Sequence, residues 1–184
     1  MNDHILLWAD IETTGLDPKR DDILEIGLVA TTMRGEEINR YVNIVHPDDG
    51  IHVTVTNTRA IEMHLRNHLI VDVLTSSIDG HRPEDVADDI DDFIQALLDH
   101  HRFIHPAGTN IDFDLTFIRE RLHPERLDDL SYRRLDLTAL RLLDMAVGGD
   151  PYAEGHGTSH RVRDCLGRDV EEWRRRVDGK DGRR

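Results

Sequence analysis

The chain has 184 residues, with 23 Lys and Arg against 37 Asp and Glu, so its formal net charge is −14. This length predicts one domain, and 38% hydrophobic with 33% charged residues excludes a wholly disordered chain. The acidic balance argues against tight nonspecific binding of long duplex nucleic acid, which proteins hold through basic surfaces, but short nucleic acid held through bound cations stays open.

Targeting and compartment signals are sparse. No apolar run approaches the ~20 residues needed to cross a bilayer, and the first four residues lack the basic start of a signal peptide. We therefore expect no membrane partner and no signal peptide. The one cysteine, Cys165, cannot form an internal disulfide, which favours a reducing compartment such as the cytoplasm.

The predicted elements are strands first and then strands alternating with helices. Apolar runs predict strands, and apolar residues at helical spacing predict helices. In chain order they are strands 5–11, 23–32 and 39–45, a helix at 84–98, a strand at 103–109, a helix at 113–122, a strand at 135–137, a helix at 138–146 and a last helix from about 159 to 176. The first three strands indicate an antiparallel meander. The whole order predicts an α/β protein with a mixed central sheet flanked by helices.

Two carboxylates lie at the end of the first predicted strand. Side chains at positions i and i+2 of a strand share a face, so Asp10 and Glu12 point the same way. Two acids this close repel each other and raise a pKa unless a cation lies between them. The pair therefore predicts a divalent metal site at this strand end.

The sequence around the acid pair supports a family resemblance. Residues 10–18 read DIETTGLDP, with an apolar strand before them and the strand-like ILEI of residues 23–26 after them. This arrangement resembles the first motif of the DEDD exonuclease superfamily, and most closely its oligoribonuclease branch. The resemblance covers residues 5 to 176 and implies an RNase H-like exonuclease fold, with an exonuclease domain at 1–176 and a charged tail at 177–184. It also implies that Leu16 wedges beside the terminal bases of a substrate, with ordinary packing under the loop as the alternative.

A second motif follows the fourth predicted strand. Residues 107–117 read AGTNIDFDLTF and are similar to the family segment that places a metal-binding aspartate at a helix start. Aligning Gly108 and Phe117 gives this role to Asp114 and leaves Asp112 as a helix N-cap or turn acid. The same resemblance implies that Asn110 is a substrate-binding residue.

Two further segments resemble substrate-binding parts of the family. Residues 63–68 read MHLRNH, which implies that His68 contacts the nucleotide, although a surface role for His68 stays open because the expected Ser-Gly pair does not follow. Residues 132–138 read YRRLDLT, like the oligoribonuclease segment whose tyrosine completes the partner subunit's site. This implies that Tyr132, Arg133 and Thr138 bind substrate, the last two at its 5′ phosphate, and that the protein is a homodimer.

The last helix departs from the family pattern. Family members of the histidine subtype carry a general-base histidine, four residues and then a metal-binding aspartate. Here His160 takes the place of the base, with His156 in reserve, but the ligand position falls on Cys165, a poor ligand for Mg²⁺. The alternatives are Asp164, one residue early and rotated by about 100° on the helix, Asp169, one turn further on, or no fourth carboxylate. We favour Asp164.

These residues predict a two-metal hydrolase. Two Mg²⁺ or Mn²⁺ ions would bind the attacking water and the leaving oxygen, and an imidazole accepts a proton near neutral pH. The predicted function is a 3′-to-5′ exoribonuclease that releases nucleoside 5′-monophosphates from short single-stranded RNA. The alternatives are a 3′-to-5′ DNA exonuclease of the proofreading or repair type, against which the Tyr132 segment argues, and a catalytically silent oligonucleotide-binding protein, which Cys165 favours.

Overall fold

A computed structural model of the chain describes residues 3–153 and 159–179. The described strands form one sheet with the order β3-β2-β1-β4-β5. They are β1 (His4–Thr13), β2 (Ile23–Thr32), β3 (Glu37–Ile44), β4 (Phe103–Gly108) and β5 (Leu135–Asp136). The first three strands pair antiparallel as a meander, whereas β4 runs parallel to β1 and β5 parallel to β4. The predicted mixed sheet is therefore confirmed.

Helices cover this sheet. They are α1 (Thr58–Arg66), α2 (Leu69–Thr75), α3 (Pro83–Leu98), α4 (Ile111–Arg121), α5 (Leu137–Ala146) and α6 (Val162–Val177), with a 3₁₀ helix at Glu125–Asp129. The sequence predicts α3 to α6 with ends shifted by a few residues, but it does not predict α1, α2 or the 3₁₀ helix. Both missed α-helices are short, and they are separated by a turn in which His68 has a left-handed φ of 66°.

The central strand β1 distributes its side chains between two cores. Ile5, Leu7 and Ala9 belong to the cluster that includes residues of α3 and α4, whereas Leu6 and Trp8 belong to the cluster that includes residues of α5 and α6. Strand side chains alternate between faces. Asp10 and Glu12 therefore continue the Leu6 and Trp8 face and are directed towards the α6 side of the sheet.

A glycine in β2 lets α6 approach this face closely. Gly27 is the register partner of Asp10, and a Cβ atom at Gly27 would lie 2.6 Å from Cδ1 of Leu166 in α6. A methyl group here would displace the Leu166 side chain and crowd Val162, so glycine favours this contact. The close approach brings the first turns of α6 over the end of β1.

The start of α6 is also held by charged groups. Glu25 of β2 accepts hydrogen bonds from Nη2 of Arg161 at 2.8 Å and from the backbone N–H of Val162 at 3.1 Å. Asp72 of α2 accepts from Nη1 of Arg161 at 2.8 Å. These bonds tie the N-terminus of α6 to β2 and α2, so the rotation of α6 about its axis is fixed relative to the acid pair.

Some sequence predictions concern residues that the structure does not describe. His156, the reserve general base, lies outside the described residues, and so does most of the predicted tail, since the description ends at residue 179. The division into a domain and a tail stays a prediction. Among the described residues, no helix has both the length and the apolar character that a membrane span requires.

Candidate active site

Three carboxyl side chains meet at the end of β1. Asp10 and Glu12 come from β1, and Asp114 comes from the first turn of α4. Oδ1 of Asp114 accepts a hydrogen bond of 3.2 Å from the backbone N–H of Ile11, the residue between the two strand acids. This bond fixes the start of α4 against β1 and places Asp114 next to the two strand acids, although the group whose ligand atoms lie within 4.8 Å of one another is Asp10, Glu12 and Cys165.

Burial and nearby negative charges raise the pKa of all three acids. Burial raises the pKa of Asp10 to about 7, and the charge of Asp169 adds to this, while Arg168 and Cys165 oppose it. Burial and the charge of Asp10 raise the pKa of Glu12 to about 8. The same two causes raise the pKa of Asp114 well above its usual range. A bound cation would reverse these shifts, because an opposite charge favours the ionised carboxylate.

The acids also have unused capacity to bind a ligand. Oδ2 of Asp10 is fully buried and has no hydrogen-bond partner among the described residues, although buried polar atoms are nearly always paired. Carboxylate oxygens are the donors that hard divalent cations prefer. The set of Asp10, Glu12 and Asp114 therefore fits a divalent metal ion.

Helix α6 brings Cys165 to the strand acids. Cys165 is buried, and its Sγ lies 3.9 Å from Oε1 of Glu12. Ligand atoms of Asp10, Glu12 and Cys165 all lie within 4.8 Å of one another. The structure does not bring Asp164 to this group, because its side chain is exposed and accepts a hydrogen bond from the hydroxyl of Ser159.

The other aspartate of α6, Asp169, is buried but already has partners. Asp169 is only 2% exposed, and its Oδ2 accepts a hydrogen bond of 2.8 Å from the hydroxyl of Thr109. Its Oδ1 accepts from Nε of Arg168 at 2.8 Å and lies 3.6 Å from Nη2 of Arg141. Asp169 is therefore close enough to raise the pKa of Asp10, but its charge is balanced by two guanidinium groups.

His64 lies beside Glu12, and His160 lies near His64. His64 of α1 is fully buried, and its Nε2–H donates to the backbone carbonyl of Thr13 at 3.0 Å and lies 3.7 Å from Oε2 of Glu12. Burial lowers the pKa of His64, and the neighbouring His160 lowers it further. His160 is exposed, with a left-handed φ of 51°, and its backbone carbonyl accepts from Nδ2 of Asn67 at 2.6 Å. The predicted general base therefore lies at the rim of the site.

Sequence reasoning selected His68 from this segment and missed His64. His68 is exposed and precedes α2, and the structure does not bring it to the acids. His64 follows the buried Ile61 by three residues on the same face of α1. That i, i+3 spacing from an apolar residue is the signal that distinguishes the inward histidine from the outward one.

The remaining predicted substrate-binding residues are exposed or half-buried. Leu16 is 81% exposed in the turn after β1, and Tyr132 is 78% exposed. The guanidinium carbon of Arg133 lies 4.7 Å from the centre of the Tyr132 ring. Large exposed apolar and aromatic side chains of this kind are available to stack on or pack against a ligand.

The carboxylate of Asp136 joins the segments that carry the other two predicted substrate-binding residues, Asn110 and Thr138. Oδ1 of Asp136 accepts from the backbone N–H of Asn110 at 3.1 Å and from that of Thr138 at 2.7 Å. Asn110 has a left-handed φ of 57° at the start of α4, and Thr138 lies in the first turn of α5. Asp136 therefore holds the starts of α4 and α5 next to each other.

Comparisons with known proteins agree with this architecture. Residues 7–146 match the family model described as exonuclease (RNase T). An oligoribonuclease of Mycobacterium sp. (strain KMS) is 29% identical over 141 residues, which are 75% of this chain and 62% of the relative. An oligoribonuclease of Corynebacterium glutamicum (strain R) is 30% identical over 151 residues, which are 77% of this chain and 63% of the relative. The chain thus spans less than two thirds of the length of these relatives.

A solved structure shows the same fold. The zinc-bound form of the E. coli exonuclease I–ssDNA complex has a TM-score of 0.68 and covers 97% of this chain and 41% of that protein, at 15% identity. The RNase H-like exonuclease fold predicted from the sequence is confirmed by this likeness and by the family match. On the strength of that match, which takes in β1 with its two acids and α4 with Asp114, the chain belongs to the exonuclease (RNase T) family and has oligoribonucleases among its relatives.

Proposed function

We propose that the protein is a metal-dependent 3′-to-5′ exoribonuclease that releases nucleoside 5′-monophosphates from short single-stranded RNA. The observation that carries this proposal is the gathering of the buried Glu12 and Asp114 with the half-buried Asp10, which have raised pKa values and an unpartnered buried oxygen, on an exonuclease scaffold. The names of the mycobacterial and corynebacterial relatives support an RNA substrate. The bound ssDNA of the E. coli neighbour supports a single-stranded one.

In this proposal, Asp10, Glu12 and Asp114 hold two divalent ions, Mg²⁺ or Mn²⁺. When bound, such ions stabilise the charge of the attacking and leaving oxygens in an in-line displacement at phosphorus. We do not assign Asp164 as a ligand, because its exposed carboxylate accepts a hydrogen bond from the hydroxyl of Ser159.

The two histidines take different tasks. His160 is exposed at the rim, so it is accessible to the attacking water and takes its proton as general base. His64 is buried and donates its Nε2–H to the carbonyl of Thr13. His64 therefore positions the chain beside Glu12, and its lowered pKa favours the neutral imidazole.

The exposed residues around the acids bind the RNA. Leu16 packs against the terminal base, and the Tyr132 and Arg133 pair provides an aromatic face and a guanidinium for the 5′ phosphate. Asn110 and Thr138, held together through Asp136, contact the backbone of the substrate. We expect this set to hold a substrate at its terminal base and at its 5′ phosphate, which would favour short RNA over long RNA.

Helix α5 supports the proposal of a homodimer. It presents apolar side chains that nothing covers among the described residues, and these continue towards Tyr152. They are Leu142, Leu143, Met145 and Val147, which are 52–78% exposed. A second copy of this chain on that face would bury them, and Tyr132 of one copy would then complete the site of the other.

The proposal is tested by a time course of 5′-labelled RNA dinucleotide, pentanucleotide and long RNA with Mg²⁺, Mn²⁺ or EDTA. We expect mononucleotide release that is fastest on the dinucleotide and is abolished by EDTA. Asp10→Asn removes the activity, whereas the matched change Asp112→Asn, at an exposed acid paired with Arg134, preserves it. Binding of dinucleotide without turnover in Mg²⁺, in Mn²⁺ or, in a separate reaction, in Zn²⁺ would overturn the proposal in favour of a silent oligonucleotide-binding protein.

A second candidate function follows from the structural neighbour. A 3′-to-5′ DNA exonuclease is favoured by the ssDNA in the E. coli complex. DNA of matched length and sequence, assayed beside each RNA, separates the two. Faster cleavage of the DNA would select this second function.

A further inference from the structure

Helix α6 offers a sulfur atom where the family pattern has a carboxylate. Cys165 lies on the buried stripe of α6 and faces the strand acids, with Sγ 3.9 Å from Oε1 of Glu12. Ligand atoms of Cys165, Asp10 and Glu12 form one group within 4.8 Å. Neither aspartate of α6 takes its place, since Asp164 is exposed and Asp169 is held by Arg168 and Thr109.

The spacing of this group is that of ligands around a tetrahedral ion. A Zn–S bond of about 2.3 Å and a Zn–O bond of about 2.1 Å at a tetrahedral angle place the sulfur and oxygen about 3.6 Å apart. The observed 3.9 Å between Sγ of Cys165 and Oε1 of Glu12 differs from this by a shift that a side-chain adjustment supplies. Mg²⁺ needs a near-ideal octahedron of oxygens and gains little from sulfur.

A separate observation shows that the group has room for a ligand. Oδ2 of Asp10 is fully buried and has no hydrogen-bond partner among the described residues. A cation between Asp10 and Cys165 would satisfy this oxygen. A disulfide does not compete for the sulfur within the chain, because Cys165 is its one cysteine.

We propose that Asp10, Glu12 and Cys165 bind one thiophilic divalent cation, of the class of Zn²⁺, in preference to Mg²⁺. The inference deepens the proposed function, since it rests on the same metal site and names which of its cations is soft. On binding, the thiol of Cys165 gives its proton to the solvent, and the metal–sulfur bond forms with the resulting thiolate. Substitution of carboxylate by cysteine thus changes the metal preference of the site and does not abolish the site.

The test is a titration of the full metal-free chain with Co²⁺, which substitutes for Zn²⁺ and reports sulfur ligation by a thiolate-to-cobalt charge-transfer band in the near ultraviolet. We expect the band to appear with wild type, to disappear when Zn²⁺ displaces Co²⁺, and to be absent in Cys165→Ser. Because the chain has one cysteine, Co²⁺ bound by histidines elsewhere cannot produce this band.

Affinities sharpen the test. Loss of a supporting residue next to a metal ligand costs about 10- to 100-fold in affinity, so loss of a direct ligand in Cys165→Ser should weaken Zn²⁺ binding, measured by calorimetry, by at least about 100-fold. Cys165→Asp should reverse the preference towards Mg²⁺ and Mn²⁺. Circular dichroism checks that both variants fold, and the reversal in Cys165→Asp distinguishes lost ligation from a damaged helix.

The outcomes separate this inference from the proposed function. A charge-transfer band without hydrolysis of any RNA or DNA would overturn the exonuclease proposal and leave the thiolate site in place. Hydrolysis with Mg²⁺, together with no band at saturating Co²⁺ or with equal Zn²⁺ affinities in wild type and Cys165→Ser, would overturn the inference alone.

Discussion

The two halves of the site balance their charge differently. On the sheet side, Asp10, Glu12 and Asp114 have a backbone N–H, the thiol of Cys165 and an imidazole as partners, and their pKa values are raised. On the α6 side, Asp169 accepts from Arg168. The first half carries buried charge that the described protein does not neutralise, whereas the second neutralises its own.

The contrast continues along α6. Glu172 is 4% exposed and accepts hydrogen bonds from Arg141, the closest at 2.5 Å, and from Arg176. Burial by itself raises the pKa of Glu172, but these arginines outweigh it and the net shift is downward. The acids of the two halves thus differ by whether a guanidinium is in ion-pair contact with them, as Arg141 and Arg176 are with Glu172. Buried acids without one are the candidates for binding a metal ion, and those with one hold α5 and α6 together.

The largest effect is expected at Asp10, in the half of the site whose acids have no guanidinium in ion-pair contact among the described residues. Asp10→Asn should lower RNA turnover in saturating Mn²⁺ by about 10²- to 10³-fold, because several kcal/mol of transition-state stabilisation depend on the metal. The same change should raise the melting temperature of the metal-free protein above about pH 7, where the buried carboxylate is ionised. An Asp10→Asn variant that turns over RNA at the wild-type rate would contradict the assignment.

Arg141→Met should destabilise the fold, whereas Asp10→Asn should stabilise the metal-free protein. Removing one partner of a buried ion pair leaves an uncompensated charge, so we expect the free energy of unfolding in urea to drop by about 3–5 kcal/mol. Arg134→Met is the matched control, because its pair with Asp112 is partly exposed and should contribute at most about 1 kcal/mol. Equal effects of the two substitutions would remove the distinction between the two halves.

The raised pKa values predict a pH dependence of stability. Between about pH 6.5 and 8, the folded metal-free chain retains protons on Asp10 and Glu12 that the unfolded chain has lost. The free energy of unfolding therefore falls as pH rises through this window, while the lowered pKa of His64 acts in the opposite sense only below it. Saturating Mn²⁺, which binds the ionised acids, should flatten the fall. A free energy of unfolding, measured with urea in EDTA, that rises with pH over this range would refute the prediction.

The smallest effect is expected at Asp164. Its carboxylate lies in the first turn of α6 and accepts from Ser159, where a negative charge near a helix N-terminus contributes about 0.3–1 kcal/mol. Asp164→Asn should therefore lose this small increment in urea unfolding and retain the Mn²⁺ affinity of wild type. Loss of Mn²⁺ affinity would restore Asp164 as the fourth ligand.

Much of the fold is predictable from periodicity. The alternation along β1 predicts that Asp10 and Glu12 share a face, and the helical spacing of Val86, Ile90 and Phe93 predicts α3. Short helices are harder to predict. The turn between α1 and α2 depends on the left-handed backbone of His68, and a histidine in the sequence does not indicate that conformation.

The orientation of α6 is predictable from the spacing of its apolar residues, but the family motif favours a different orientation. Val162, Cys165, Leu166, Asp169 and Val170 are buried at i, i+3, i+4, i+7 and i+8, the pattern of one helix face. This buried face contains Cys165 and excludes Asp164. The family motif nevertheless favours Asp164, because it predicts a carboxylate ligand near this position. The arginines that neutralise Asp169 come partly from α5, and only the tertiary structure brings them together.

The central claim is that the sheet-side acids gather to bind a divalent cation, and a calorimetric titration of the metal-free protein with Mn²⁺, without RNA, tests it most directly. We predict binding by wild type and by Asp112→Asn, and at least about tenfold weaker binding by Asp114→Asn. Wild-type protein that binds no Mn²⁺, or an Asp114→Asn variant that binds it as tightly as wild type, would contradict the account.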